Sequence, residues 1–116
     1  MIYHLALPDD WTPGKDYRIS TRGRSLGDVG FIHCSYAHQL IGVATTFYDD
    51  LSELVVVEID PGLVGAPVKD ESPDGSPPTP GDAVFPHLYG PLSPVAVTAT
   101  QRWTRSPDGW VDPPIS

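Results

Sequence analysis

Apolar residues along this chain fall into a few short runs separated by long polar stretches, and the runs differ in period. Residues 2–7, IYHLAL, form a continuous apolar string of the length expected for a buried strand. The stretch PDDWTPGKDY that follows carries turn and helix-start residues but too little periodicity for more than a short helix or a loop. Next, RGRSLGDVG is polar and rich in glycine, and it delivers the chain into GFIHCS at 30–35, predicted as a second strand. Residues two apart on a strand share a face, so Phe31, His33 and Ser35 point one way and Ile32 and Cys34 the other.

From Tyr36 to Tyr48 the apolar positions are 36, 40, 43, 44 and 47, the three-and-four spacing of an amphipathic helix. Ser35 stands where an N-cap oxygen would satisfy its free amides. LVVVEID at 54–60 is rich in β-branched residues and closed by Pro61-Gly62, as a central strand would be, and GLVGAPVKDE adds a further short strand. Residues 72–82, SPDGSPPTPGD, hold too much proline and glycine for a regular element and are predicted as a surface loop flanking a site. VFPHLYGPL then puts Phe85, His87 and Tyr89 on one strand face, and VAVTATQRW is another strand. Trp103 and Trp110 bracket TRSPDG, a turn-forming segment that predicts a terminal hairpin over 103–116 with the two indoles packed on its sides. The order of elements, strands with one main helix and no repeating βαβ unit, predicts a single α+β domain over 1–116 with a mixed or antiparallel sheet.

Composition narrows the function. A net charge of −8, from 15 acidic against 7 basic residues, argues against a protein that coats nucleic acid or an anionic membrane. Even so, Lys15, Arg18, Arg22 and Arg24 fall close together and predict a local basic patch able to meet an anionic small ligand. The one cysteine, Cys34, has no intrachain partner for a disulfide, no apolar run approaches membrane-spanning length, and the chain opens on strand-like residues. A cytosolic protein is therefore expected.

The candidate chemistry lies in the histidines. His4, His33 and His87 each sit in a predicted strand among apolar neighbours, where a polar ring is costly unless it is hydrogen-bonded or faces a cleft. His33, Cys34, His38 and His87 are suitable zinc-ligand types, yet His33 and Cys34 point to opposite faces and no CxxC or HExxH spacing occurs, so no metal is expected. Nucleophilic use of Cys34 or Ser35 is weakly signalled, since Cys34 is on the apolar face and Ser35 is read as a cap. A ribosylated or phosphorylated small ligand fits the residue types best. Neutral imidazoles bond ribose hydroxyls, Tyr36 or Tyr89 offers a ring for stacking, and the Arg18 to Arg24 stretch meets phosphate.

IYHL, GFIHCS followed by a helix ending in TFYDD, LVVVEIDP, and FPHLYGPL followed by a strand resemble, in that order and over about residues 2–104, the bacterial family known as domain of unknown function 952. That family looks like a member of the ADP-ribosyltransferase fold superfamily. The resemblance implies a split sandwich that binds NAD, or a related nucleotide, in a central cleft. It implies that His4 holds the ribose, that His33 and Ser35 hold the nicotinamide end with Tyr89 shaping the pocket, and that His87, or less directly Glu71, takes the catalytic position. Arg18, Arg22 and Arg24 would pair with the pyrophosphate. FPHLYGP lacks the glutamate of the commonest superfamily pattern, which sets a non-catalytic nucleotide-binding or protein-interaction module beside ADP-ribosyl transfer or NAD hydrolysis. A protein acceptor is not identified by any of these residues.

Overall fold

A computed structural model describes residues 1–115. The chain forms strands β1 (Ile2–Ala6), β2 (Ile19–Thr21) and β3 (Arg24–Ser25), a one-turn helix α1 (Leu26–Val29), strand β4 (Ile32–His33), the main helix α2 (Leu40–Phe47), and strands β5 (Glu53–Ile59), β6 (Val68–Glu71), β7 (Phe85–Leu88) and β8 (Val97–Thr104). It is an α+β fold with antiparallel pairing throughout: one sheet ordered β1-β5-β8, a second ordered β4-β7-β6, and a small β2-β3 hairpin. No helix among the described residues is long and apolar enough to cross a membrane.

The central strand explains the layering. β5 alternates Leu54 and Val56 on one face with Val55, Val57 and Ile59 on the other, and all five are buried. The first pair packs with Leu40 and Ala44 of α2 and with Tyr48, Trp103 and Trp110. The second set packs with Ile32, Cys34 and Leu88 of the second sheet. A strand covered on both faces needs apolar residues at every position, which is why LVVV is continuous. Each of these side chains adds roughly 1.5–3 kcal/mol by leaving water.

One backbone bridge joins the layers: Tyr3 N–H donates to Ser35 O at 2.8 Å and Ser35 N–H donates to Tyr3 O at 2.7 Å. That bridge corrects the expected cap. With both its backbone groups held by β1, Ser35 stays extended, and the helix starts later, through a 3₁₀ turn at Ala37–Gln39. The Gln39 side chain closes that turn, its Oε1 accepting from the Tyr36 amide at 2.9 Å.

Two other expectations change. The polar stretch 22–30 is structured: α1 is capped reciprocally by Ser25 and Asp28, each side chain accepting from the other's amide at 3.1 Å, and it ends on Gly30 at φ 98°. The terminal hairpin shrinks to a tight turn closed by mutual backbone bonds between Ser106 and Gly109, because Trp103 and Trp110 pack against each other, ring centres 4.9 Å apart, in the core beneath α2.

Candidate functional site

A cleft of about 540 Å³ opens beside β1. His4 and Leu5 of β1, His33 at the end of β4, and Cys34 and Ser35 after it form its floor; Val43 and Phe47 of α2 and Tyr48 just past its end form one wall; Thr21 and Arg22 of the hairpin and Pro73, Asp74 and Phe85 close the others. The volume lies within the usual range for small-molecule sites, and the lining is chiefly apolar with a few polar groups. The loop after β6 flanks the cleft through Pro73 and Asp74. Gly75 holds it down at φ 88°, where a Cβ would come within 2.8 Å of the Phe31 ring.

His4 is buried, and its ring is occupied on both sides. Nδ1–H donates to the His33 carbonyl at 2.6 Å, and since a carbonyl can only accept, Nε2 carries the lone pair that accepts from the Tyr17 hydroxyl at 2.9 Å. Burial pulls its pKa down to about 4. The ring therefore lines the cleft without a free nitrogen to offer, and it fixes β4 beside β1. Removing its partner exposes this role: Tyr17→Phe should cost about 1–3 kcal/mol of unfolding free energy in a urea titration by leaving Nε2 buried and unpaired. A change of a few tenths would mean that water replaces the hydroxyl.

His33 and Ser35 are the available polar groups. His33 bonds through its backbone carbonyl and Ser35 through its backbone, so among the described residues the imidazole and the hydroxyl have no partner. Burial, with help from nearby His87 and Arg24, lowers the His33 pKa to about 4, leaving a neutral ring able to donate from one nitrogen and accept at the other.

His87 faces His33 across the β4–β7 pairing, ring centres 5.2 Å apart, while His4 reaches His33 through the backbone carbonyl. His87 itself is fully buried and does not line the cleft, because the Phe31 ring stacks on it at 4.0 Å. Its Nδ1–H donates to Glu71 Oε1 at 3.1 Å, and the Tyr89 hydroxyl donates to the same oxygen at 2.5 Å. That bond to Glu71 pushes the Tyr89 pKa up to about 12. His87 Nε2 is buried with no partner among the described residues. Thus His87, Tyr89 and Glu71 form a set behind the cleft, with His33 between them and the open space.

The basic stretch does not line the cleft as a patch. Arg18 and Arg24 are exposed and contribute nothing to the lining. Arg22 does line it, but its guanidinium forks onto Asp50, at 2.8 and 2.5 Å, and lies 5.9 Å from the centre of the Tyr48 ring. Sequence reading missed Tyr17, Phe47 and Asp74. Tyr17 and Asp74 stand in polar stretches without periodicity, whereas Phe47 belongs to the apolar spacing of the helix, which marks a face and not a cleft. Among the described residues, no group of three His, Cys, Asp or Glu side chains is placed to hold a metal ion.

Fold and cleft together define a small antiparallel α+β protein with a histidine-floored cavity. The chain belongs to the family described as Protein of unknown function (DUF952), whose model matches residues 6–100. The crystal structure of protein CC0527 from Caulobacter crescentus is similar, with 28% identity, a TM-score of 0.73, and 94% of this chain and 90% of that chain covered. The solution structure of CC0527 gives 26% identity and a TM-score of 0.70, over 94% of this chain and 89% of that one. No curated protein matches the chain.

Proposed function

We propose that the cleft binds the base-and-ribose end of a nucleotide, with NAD as the reference ligand, on a fold related to the ADP-ribosyltransferase split sandwich. The observation that carries this reading is the pairing of a free neutral imidazole, His33, with a free hydroxyl, Ser35, on the floor of a cleft otherwise walled by apolar and aromatic groups. Such a floor suits ribose hydroxyls or a carboxamide, and Phe47 and Phe85 suit a planar ring. The fit stops at the phosphates: Arg22 is held by Asp50, and no other cation lines the cleft. The residues therefore fit part of NAD and not its pyrophosphate, and no chemical step is assigned to the dinucleotide. Binding without chemistry is the leading reading. Transfer or hydrolysis of ADP-ribose is second, favoured by the pairing of buried His87 with the partly exposed Glu71 carboxylate behind His33.

Calorimetric titration of NAD into the wild type and into His33→Ala, with nicotinamide release followed in the same samples, tests both. Saturable binding to the wild type, weakened about tenfold or more in the variant, is expected from loss of one well-placed hydrogen bond. The melting temperature of the variant should fall by no more than about 4 °C, since the ring makes no hydrogen bond and loses only its edge contacts with Phe31 and His87. Absence of binding at millimolar NAD overturns the nucleotide reading, and nicotinamide release would promote the enzymatic one.

A further inference from the structure

The charges on the cleft wall favour one kind of ring over another. His4 and His33 are neutral above about pH 5, since burial holds each near 4. Arg22 is compensated by the bidentate Asp50 carboxylate. That leaves Asp74 as the uncompensated charge on the lining. Its Oδ1 accepts from the Ser76 amide at 2.9 Å and the Ser76 hydroxyl at 2.6 Å, which hold the carboxyl below the usual range. Its Oδ2 takes no partner from another described residue. The wall also presents the aromatic rings of Phe47 and Phe85, whose faces attract cations, while the Tyr48 ring already has the Arg22 guanidinium beside it.

We infer that the cleft selects a planar nitrogen ring carrying a positive charge, with Asp74 as the specificity-determining group. The inference rests on the reading of the cleft as a base-and-ribose site, and it reverses the expectation that charge recognition there is directed at phosphate through Arg18, Arg22 and Arg24. Asp74 is exposed, and its carboxylate is oriented by the two Ser76 turn bonds, with the adjoining Gly75 packed on Phe31, so part of its placement is set before any ligand arrives.

The oxidised and reduced forms of the nicotinamide dinucleotide isolate the ring charge, because the rest of the two molecules is the same and only the oxidised ring is cationic. Both are titrated into the wild type, Asp74→Asn and Asp50→Asn. The wild type should bind the oxidised form about fivefold or more tightly than the reduced, the effect of one charge at contact distance in a well-hydrated cleft. Asp74→Asn, whose amide oxygen still accepts from Ser76, should bring the ratio to within about twofold. Asp50→Asn, which releases the Arg22 charge and leaves Asp74 untouched, should also lower it. Equal affinity for the two forms, or a ratio unchanged in Asp74→Asn, overturns the inference while the cleft still binds nucleotide. Failure of both forms to bind brings down the nucleotide reading and this inference together.

Discussion

Trp110→Ala should remove about 3–5 kcal/mol of unfolding free energy, more than any other substitution proposed for this protein. Trp110 is 2% exposed, and its indole N–H donates to the Tyr48 carbonyl at 3.1 Å, so a residue close to the end of the described chain secures the end of α2. It packs on Trp103, whose own N–H donates to the Val111 carbonyl at 2.8 Å and folds the tail back onto the sheet. Truncation leaves a large void between sheet and helix and removes the indole bond to the Tyr48 carbonyl, which keeps only the Leu51 amide as donor, at 3.0 Å. Since a domain of this size holds about 5–15 kcal/mol in total, the variant should be marginal. Equilibrium urea unfolding measures it: the midpoint falls while the slope stays constant. A loss below about 1 kcal/mol would mean the tail is a loose appendage. Because Tyr48 also walls the cleft, any ligand affinity should fall with it.

Acid should destabilise the fold well above the range where carboxylates protonate. His4 has a folded pKa of about 4 against an ordinary value of 6.5, so as pH falls the unfolded chain takes up its proton first. The stabilisation is complete above pH 6.5 and is lost as pH falls from 6.5 towards 4. Burial sets the size, about 3 kcal/mol for His4. His33 shifts in the same direction, and its partial exposure reduces its share; burial also lowers His87. Asp28, Asp50 and Asp74 have depressed pKa values and lose their contribution only at lower pH, so the two windows separate. Urea unfolding at pH 7.5, 6.5, 5.5 and 4.5 should show a progressive fall of about 2–4 kcal/mol over this range. A flat profile would mean that the His4 ring gains water or a charge partner in solution.

Legibility from sequence followed the reach of the interactions. β1, β5, β7 and β8 were readable because burial writes itself into continuous or β-branched runs, whereas β6, VKDE, has no buried residue and was legible only as the end of GLVGAPVKDE. The β2–β3 hairpin and α1 were not, since 22–30 has no apolar period, although Ser25 with Asp28 and the terminal Gly30 carry a local capping signature. Ser35 was misread because the choice between cap and bridge was made by Tyr3, a partner distant in sequence. The same limit governs the site. Two-residue alternation grouped His33 with Ser35 and His87 with Tyr89, but it had no means of showing that Phe31 would cover His87 or that Asp50 would claim Arg22. The α+β class followed from the order of elements, whereas the location of charge around the cleft depended on contacts made after folding.

The pairing of Ile2 with Ile59 and of His33 with His87 has a kinetic consequence. Neither large sheet contains a strand pair joined by a short turn at the cleft, so the cavity floor forms only when chain segments far apart in sequence have met. Closing such loops costs entropy before any contact repays it, which places refolding on the order of milliseconds to seconds rather than microseconds. On a ribosome, β1 would emerge with its apolar face uncovered and wait for β5 to be synthesised. The cleft would be among the last features of the molecule to exist.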